Sequence, residues 1–175
     1  MFDNIKQDLE ALGGGRCGLR TLVRGLLSQG LQAIVVYRFF HWLRQKNIPV
    51  QPVRFMCERF IEITTGISIP AECKIGKGFR IHHFGGIIFH PAVIIGKNCT
   101  IYQGVTLGDR GGYGGAPTIG DNVIIGAGAK IVGEVTIGNN CKIGALAVVS
   151  ESIPDNAKVY CARPIVMTAD KKRKK

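Results

Sequence analysis

Three histidines in the middle of the chain, His82, His83 and His90, are the residues best suited to chemistry. An imidazole titrates near neutral pH, so it can take the proton from a hydroxyl group as that group attacks a carbonyl carbon. Such a base is usually oriented by a third group, and a carboxylate would serve. The candidate carboxylates are Glu62, Glu72 and Asp109. The residues leave the choice among these three open.

A six-residue repeat must position these histidines. Aliphatic residues recur every six positions, and many of them are followed by Gly. They are Ile69, Ile75, Ile81 and Ile87, and then Ile95, Ile101, Leu107, Ile119, Ile125, Ile131, Ile137, Ile143 and Val149. This period fits neither an α-helix nor a simple alternating strand, and it is typical of a solenoid with three flat faces per coil. The sequence therefore predicts an all-β core, a parallel β-helix over residues 67–166, with the aliphatic residues pointing inward.

Two interruptions of the repeat mark the places where function is expected. Ile81 and Ile95 are fourteen positions apart, two more than two repeats, and the slip falls within residues 82–86. An imidazole in an aliphatic column is costly without partners, so its place at the slip favours a functional role for His83. Residues 109–118 keep the register but carry Tyr113 where an aliphatic residue belongs. We expect this glycine-rich stretch to loop off the prism, where solenoids carry functional residues.

Residues 1–66 are predicted to be α-helical, with apolar residues at helical spacing and arginines between them. The longest charge-free apolar stretch of this region, from Gly25 to Tyr37, is shorter than the roughly 20 residues that span a bilayer. The favoured interpretation is that these helices pack on each other and on neighbouring subunits. The alternative is peripheral membrane contact through the basic amphipathic helices.

The net charge and the cysteines indicate which ligands the protein could bind and in which cellular compartment it is expected. A formal net charge of +11 favours polyanions such as coenzyme A, anionic glycans or lipid headgroups. Nucleic acid is disfavoured, because no basic-aromatic platform or recognition helix is visible. Residues 167–175 are expected to form a basic disordered tail. The six cysteines are widely spaced and form no CxxC pair, which predicts buried thiols in a reducing compartment. The acidic N-terminal residues do not resemble a signal peptide, so we expect a cytoplasmic protein. Placement at the inner face of the membrane is an open alternative.

Two stretches of the repeat resemble the serine acetyltransferase family of hexapeptide-repeat acyltransferases. They are IGKGFRIHHFGGIIFHPAVIIGKNCTIYQGVTLG and IGDNVIIGAGAKIVGEVTIGNNCKIGALAVV. The His-Phe-Gly-Gly-Ile core is also similar to the related O-acetyltransferases of polysaccharide gene clusters. The resemblance covers roughly residues 35–166. It implies a left-handed β-helix, a homotrimer, acetyl-CoA bound between subunits and acetyl transfer to a hydroxyl. The residues that it implies for the acetyl-CoA site are Gly108, Ala127, Gly128, Ala129, Lys130, Ala145 and Arg163.

The resemblance also shows where this chain departs from the family pattern. His83 matches the family's catalytic histidine, but the aspartate before it is His82 here. The family's orienting aspartate falls on Ser68, and a second active-site histidine falls on Ala116, in a loop about two residues shorter. The resemblance therefore implies that this chain retains the scaffold that binds coenzyme A, whereas the residues that bind free serine are largely replaced. The candidate acceptor-binding or orienting residues are His82, His90, Glu62, Glu72, Asp109 and Arg110.

Three functional hypotheses follow. The first is an acetyl-CoA-dependent O-acetyltransferase, with His83 as base and a sugar hydroxyl of a surface glycan or its precursor as acceptor. The second is a serine O-acetyltransferase of cysteine biosynthesis, and the third is a catalytically silent β-helix scaffold. No metal is predicted, because the zinc sites of some trimeric β-helices need further histidines about two coils later and none follows His90.

Overall fold

The computed structural model describes residues 1–14, 18–112 and 115–162, and within them helices precede strands. The helices are α1 (Phe2–Leu12), α2 (Leu19–Leu26), α3 (Gln29–Gln45) and α4 (Gln51–Thr65). The strands are β1 (Ile67–Ser68), β2 (Lys74–Ile75), β3 (Arg80–His82), β4 (Ile87–Phe89), β5 (Ile94–Ile95), β6 (Thr100–Tyr102), β7 (Thr106–Gly108), β8 (Thr118–Ile119), β9 (Ile124–Ile125), β10 (Lys130–Val132), β11 (Thr136–Ile137), β12 (Lys142–Ile143), β13 (Val148–Val149) and β14 (Lys158–Val159).

The strands form three parallel sheets, which are the three faces of a prism. Face A has the order β1-β4-β7-β10-β13, face B has β2-β5-β8-β11, and face C has β3-β6-β9-β12-β14. Each of the first four coils contributes one strand to each face, and the last coil meets face B only through a bridge at Ile153, so neighbours in a sheet are one coil apart in the chain. The prediction of a left-handed parallel β-helix behind an α-helical region is confirmed.

Columns of stacked aliphatic side chains fill the prism. On face C, Ile81, Ile101, Ile125 and Ile143 pair in succession, and the column ends at Val159. Its first four members are nearly inaccessible, and the equivalent columns of faces A and B are buried too. Strands this short bury little surface alone, so stacking on the adjacent coils stabilises each coil.

Coil length varies, and the variation matches the interruptions of the repeat. On face B, Ile75 pairs with Ile95, 20 positions on, and Ile95 pairs with Ile119, 24 positions on. Ile119 then pairs with Ile137 at 18 positions, and Ile137 bridges to Ile153 at 16. The two extra residues of the first coil confirm the predicted slip, and the six of the second form the predicted loop. The short last coil was not predicted, because no aliphatic residue follows Val149 at the six-residue interval.

The N-terminal helices cap the open edge of the first coil. Strands at the end of a solenoid leave backbone groups that no preceding coil can pair. Here the Tyr37 hydroxyl of α3 donates to the carbonyl of Cys73 at 2.9 Å and accepts from the N–H of Ile75 at 3.1 Å. His41 Nδ1 lies 2.8 Å from the carbonyl oxygen of Ala71.

A buried ion pair completes this cap. Arg38 donates to Asp8 of α1 at 2.9 and 3.2 Å, and it also donates to the carbonyls of Ile75 and Gly76 at 2.5 Å each. The second partner of Asp8 is the N–H of Phe79, at 2.8 Å. Arg38 and Asp8 are both almost fully buried. One pair therefore fixes α1, α3 and the first coil together.

The helical region exposes apolar side chains that the chain itself does not cover. On α2 and the residue after it, these are Leu19, Leu22, Val23, Leu26 and Leu27; on α4 they are Val53, Phe55, Met56, Phe60 and Ile63. No helix in the described ranges is long and apolar enough to cross a membrane. Contact of these surfaces with neighbouring subunits or with a membrane stays a prediction.

The cysteines of the described ranges are free thiols. Cys73, Cys99 and Cys141 are buried in the prism, whereas Cys57 is half-buried and Cys161 is exposed. Burial raises the pKa of the Cys99 thiol to about 11, which keeps it protonated at neutral pH.

Candidate active site

His83 lies at the corner between face C and face A, which we call the C–A corner. It follows the end of β3, and its backbone is left-handed, with φ of 62°. Its side chain is exposed, so it does not fill an inward position of the aliphatic column. Non-glycine residues in this conformation are uncommon and are enriched at functional sites.

Close packing explains the glycines after His83. Gly66, which ends α4, approaches the backbone of the corner so closely that an added Cβ would lie 2.9 Å from the Cα of Gly85. Gly85 and Gly86 both have positive φ. The two extra residues of the first coil therefore bend the chain beneath α4 and leave the imidazole of His83 on the surface.

Two aromatic rings accompany His83. His82 stacks on Tyr102, its partner in the next coil, with ring centroids 4.9 Å apart and an interplanar angle of 15°. The ring of His83 lies 6.3 Å from that of His82 and 6.4 Å from that of Tyr102. Tyr102 was missed in the sequence analysis. It lies 20 positions after His82, so a coil length of 20 residues would have identified it.

A small cavity of about 200 Å³ opens beside His83. Phe84 lines it together with Leu27 and Ser28, which join α2 to α3, and with Gln29 and Gly30, the first residues of α3. Ser28 is the N-cap residue of α3 and accepts from the N–H of Leu31 at 3.4 Å. The positive end of the α3 dipole is therefore next to the candidate base.

The charged groups that act on His82 are cations. Burial lowers the pKa of His82, and Arg80, His83 and Arg24 lower it further. Arg80 donates through Nη1 to the carbonyl of Ala11 at 3.1 Å, but its Nε is buried without a hydrogen-bond partner among the described residues.

Two of the predicted orienting carboxylates are engaged elsewhere. Glu62 pairs with Arg59 at 2.8 Å, and Glu72 pairs with Arg54 at 2.8 Å. Neither makes a hydrogen bond or an ion pair with His83 in the described part of the chain. The prediction that one of them orients His83 therefore has no support within a single chain.

The other predicted residues lie at the corner between face A and face B, the A–B corner. Asp109 accepts from the N–H of Gly112 at 2.5 Å, and Arg110 donates to the carbonyl of Ser150. At the same corner one coil earlier, His90 Nδ1 accepts from the N–H of Ala92 at 3.2 Å. The structure thus places His90, Asp109 and Arg110 at a different corner from His83.

Several predicted acetyl-CoA residues share the C–A corner with His83. Ala127 and Gly128 form this corner two coils after His83, and Ala145 lies one coil further. Gly104 stacks on Gly128 so closely that a Cβ added to Gly104 would lie 3.3 Å from the Cα of Gly128. Small residues therefore form a column at this corner from Gly86 through Gly104 to Gly128, and larger side chains would fill it.

Other acetyl-CoA predictions are not supported by the structure. Ala129 is fully buried in the core, so it cannot line a surface groove. Lys130 donates to the carbonyl of Gly104 at 2.7 Å and to the hydroxyl of Thr106 at 2.8 Å, which ties it to the prism. Gly108 ends β7 on the side of the A–B corner. Arg163 lies outside the described residues, as does Tyr113.

Leu146 also lies at the C–A corner, where its N–H donates to the carbonyl of Ala127. It has φ of 60° and is 68% exposed. Its side chain covers Gly128, where an added Cβ would lie 2.7 Å from the leucine Cδ2.

Within the described ranges, no group of three or more His, Cys, Asp or Glu could hold a metal ion.

Known proteins share this repeat and this architecture. Residues 116–151 match the model of the bacterial transferase hexapeptide, and residues 93–110 match the hexapeptide repeat of succinyl-transferase. A serine acetyltransferase of Synechococcus elongatus is 40% identical over 165 residues, which are 91% of this chain and 66% of the relative. One from Helicobacter pylori is 37% identical over 149 residues, which are 83% of this chain and 85% of the relative.

Solved structures agree with these sequence matches. Serine acetyltransferase isoform 3 of Entamoeba histolytica, in complex with cysteine, superposes with a TM-score of 0.84 and 32% identity over 97% of this chain and 61% of that one. The Neisseria gonorrhoeae serine acetyltransferase in complex with serine gives 0.81 and 30% identity, over 93% of this chain and 68% of that one. The chain thus spans about two thirds of the length of several of these relatives.

Proposed function

This chain belongs to the serine acetyltransferase family of hexapeptide-repeat transferases, and on that premise we propose that it is an acetyl-CoA-dependent O-acetyltransferase. The observation that carries the proposal is the placement of His83. An exposed imidazole lies beside a cavity and at the same prism corner as the column of small residues. A base and a groove for the acyl donor are thereby brought to one edge of the prism.

In this proposal His83 is the general base. Its ring takes the proton from the acceptor hydroxyl while the hydroxyl oxygen bonds to the thioester carbonyl carbon. The carbon–sulfur bond then breaks, and the thiolate of coenzyme A takes that proton from the imidazolium. Gly104, Ala127 and Ala145 offer small side chains at this corner for the pantetheine arm, next to Leu146, which covers Gly128.

A second copy of the chain would complete the site in a homotrimer. Asp109, Arg110 and His90 lie at the A–B corner, whereas His83 lies at the C–A corner. Packing one prism against the next can bring two different corners together, which a single chain does not do. This arrangement would also cover apolar side chains that are exposed in the single chain, such as Ile88 and Val148.

Serine is the acceptor that the comparisons favour, because the relatives are named for it and the Neisseria structure contains it. A sugar hydroxyl is the second candidate. The observation in its favour is the absence, within the described residues, of a carboxylate paired with His82 or His83, since free serine carries an ammonium group that a carboxylate would bind.

An acceptor screen with acetyl-CoA tests the proposal. Thiol release and mass spectrometry of the product are followed with serine and with a panel of sugars. His83→Ala should lower kcat by roughly 10²–10⁴-fold, the usual contribution of a positioned base. His41→Gln, a histidine change in the helical cap, is the control and should retain activity.

The same screen separates the enzyme from a silent scaffold. If no acceptor stimulates thiol release and His83→Ala matches the unmodified protein, the acetyltransferase proposal is wrong. Acetylation of serine alone would exclude the sugar acceptor, and acetylation of sugars alone would exclude serine.

A further inference from the structure

The imidazole of His83 has two ring neighbours but no polar partner in the described part of the chain. Its centroid lies 6.3 Å from that of His82 and 6.4 Å from that of Tyr102, with interplanar angles of 46° and 41°. Neither a hydrogen bond nor an ion pair joins the side chain of His83 to any described residue. A catalytic imidazole is usually oriented by a hydrogen-bonded group. Within a single chain, this imidazole is instead oriented by contacts with rings.

The ring of Tyr102 is placed there by the register of face C. His82 ends β3, Tyr102 ends β6, and the two residues lie directly opposite each other in neighbouring parallel strands. Their half-buried rings stack with centroids 4.9 Å apart and planes inclined by 15°. Aromatic rings at such a distance attract one another in addition to the area that they bury. The stack therefore fixes the side chain of the residue that precedes His83.

The backbone of His83 needs support of this kind. Its φ of 62° is uncommon for a residue other than glycine, and such conformations persist only where the surrounding structure holds them. The stack of His82 precedes His83 in the chain, and the close approach of Gly66 to Gly85 follows it. His83 is thus held between two anchored points, and Tyr102 anchors the first of them from the next coil.

The hydroxyl of Tyr102 takes no part in these contacts. It has no hydrogen-bond partner among the described residues. Removal of the hydroxyl would leave the stack intact, whereas removal of the ring would take away the support of His82 and one of the two ring neighbours of His83. The planar ring is therefore the part of Tyr102 that acts on His83.

We propose that Tyr102 is a positioning residue for His83: its ring, stacked on His82, holds the imidazole in the direction from which it takes the proton of the acceptor hydroxyl. This inference rests on the proposed function and adds a positioning residue to it. It assigns no contact between Tyr102 and either substrate. A shift of about 1 Å in a reacting group can cost about 10²-fold in rate, so the loss of this ring should be visible in kcat.

Two substitutions at one position test the role of the ring. Tyr102→Leu keeps an apolar side chain but removes the planar ring, and it should lower kcat by roughly 10–10²-fold with little change in the KM for acetyl-CoA. Tyr102→Phe is the matched control, because it keeps the ring and should therefore retain the kcat of the unmodified protein. Thermal unfolding of both variants checks that the fold is retained.

A double variant shows whether Tyr102 acts through His83. In a His83→Ala background the base is absent, so the addition of Tyr102→Leu should leave the residual rate unchanged. A role of Tyr102 in general packing or in substrate binding would lower that rate again. The rates are compared at saturating acetyl-CoA and acceptor, so that the comparison reports kcat.

The stack itself can be observed without any reaction. In a proton NMR spectrum, the ring of Tyr102 should shift the imidazole protons of His82 upfield, and His82→Asn identifies these resonances by their loss. The upfield shift should be kept in Tyr102→Phe and lost in Tyr102→Leu.

The results separate this inference from the proposed function. If His83→Ala lowers kcat as expected but Tyr102→Leu does not, the inference is overturned while the acetyltransferase stands. An equal loss of activity in Tyr102→Phe and Tyr102→Leu would assign the effect to the hydroxyl and overturn the inference as well. A further loss in the double variant, or imidazole protons of His82 that do not move in Tyr102→Leu, has the same consequence. If no acceptor is acetylated, both the inference and the proposed function fail.

Discussion

The buried pair of Asp8 and Arg38 gives a prediction whose size follows from the structure. Asp8→Ala removes the carboxylate that accepts two of the four hydrogen bonds of Arg38, and it leaves the guanidinium buried against the carbonyls of Ile75 and Gly76. The N–H of Phe79 also loses its acceptor. Removing one partner of a buried ion pair typically costs ~3–5 kcal/mol, because an uncompensated charge stays in the interior.

We therefore expect a marked loss of stability for Asp8→Ala. For a chain of this length, each kcal/mol lowers Tm by roughly 2–4 °C, so a decrease of about 6–20 °C should follow. Thermal and urea unfolding measure it, at one fixed protein concentration, because the stability of an oligomer depends on concentration. Asp3→Ala on the same helix is the control, since Asp3 is exposed and pairs only with Gln7 in the described residues.

A double-mutant cycle identifies the ion pair as the cause. Asp8→Leu combined with Arg38→Met replaces both charges by apolar groups, and the double variant should be less destabilised than the two single variants taken together. If Asp8→Ala lowers Tm no more than Asp3→Ala does, the pair does not hold the helices on the first coil and the reasoning fails.

Two further predictions concern the C–A corner. Burial and the cations Arg80, His83 and Arg24 lower the pKa of His82 below its usual value of 6.5. The contribution of His82 to folding stability is therefore present above pH 6.5 and is lost as the pH falls below that value. Arg24→Gln should raise the pKa of His82 in an NMR titration, and an unchanged pKa would contradict the assigned cause. Leu146→Gly should stabilise the protein by about 1 kcal/mol, because glycine adopts positive φ without strain. Leu146→Ala keeps a Cβ at the same φ and should not stabilise the protein. Equal unfolding midpoints for the two variants would contradict the strain argument.

The role of His83 could be predicted only in part. The slip in the repeat located it, because two extra residues cannot be absorbed within a coil and must form a corner. Its outward direction depends on the close approach of Gly66, which follows α4, to Gly85, and a contact between separate elements is not visible in a local sequence pattern. The stack of His82 on Tyr102 likewise required the coil length of 20 residues.

Other site residues show the limit of reading a motif residue by residue. Ala129 and Lys130 follow the small residues of the same hexapeptide, yet one faces the core and the other is bound to Gly104 and Thr106. Alternation along the strand decides which side chain faces outward, and hydrogen bonds to the neighbouring coil decide which charge is free.

The sequence by itself determined the prism, its three aliphatic columns and two of the three places where the coil departs from regularity, because a period of six residues is visible in the local sequence; the short last coil was the third. Only the tertiary structure decided how the ends and corners are used. Asp8 and Arg38 are 30 positions apart, and Arg38 reaches the first coil a further 37 positions on. Such contacts depend on how the helices close over unpaired strand edges, and the same packing brings α2 and α3 to His83 and keeps the loop of Asp109 at another corner.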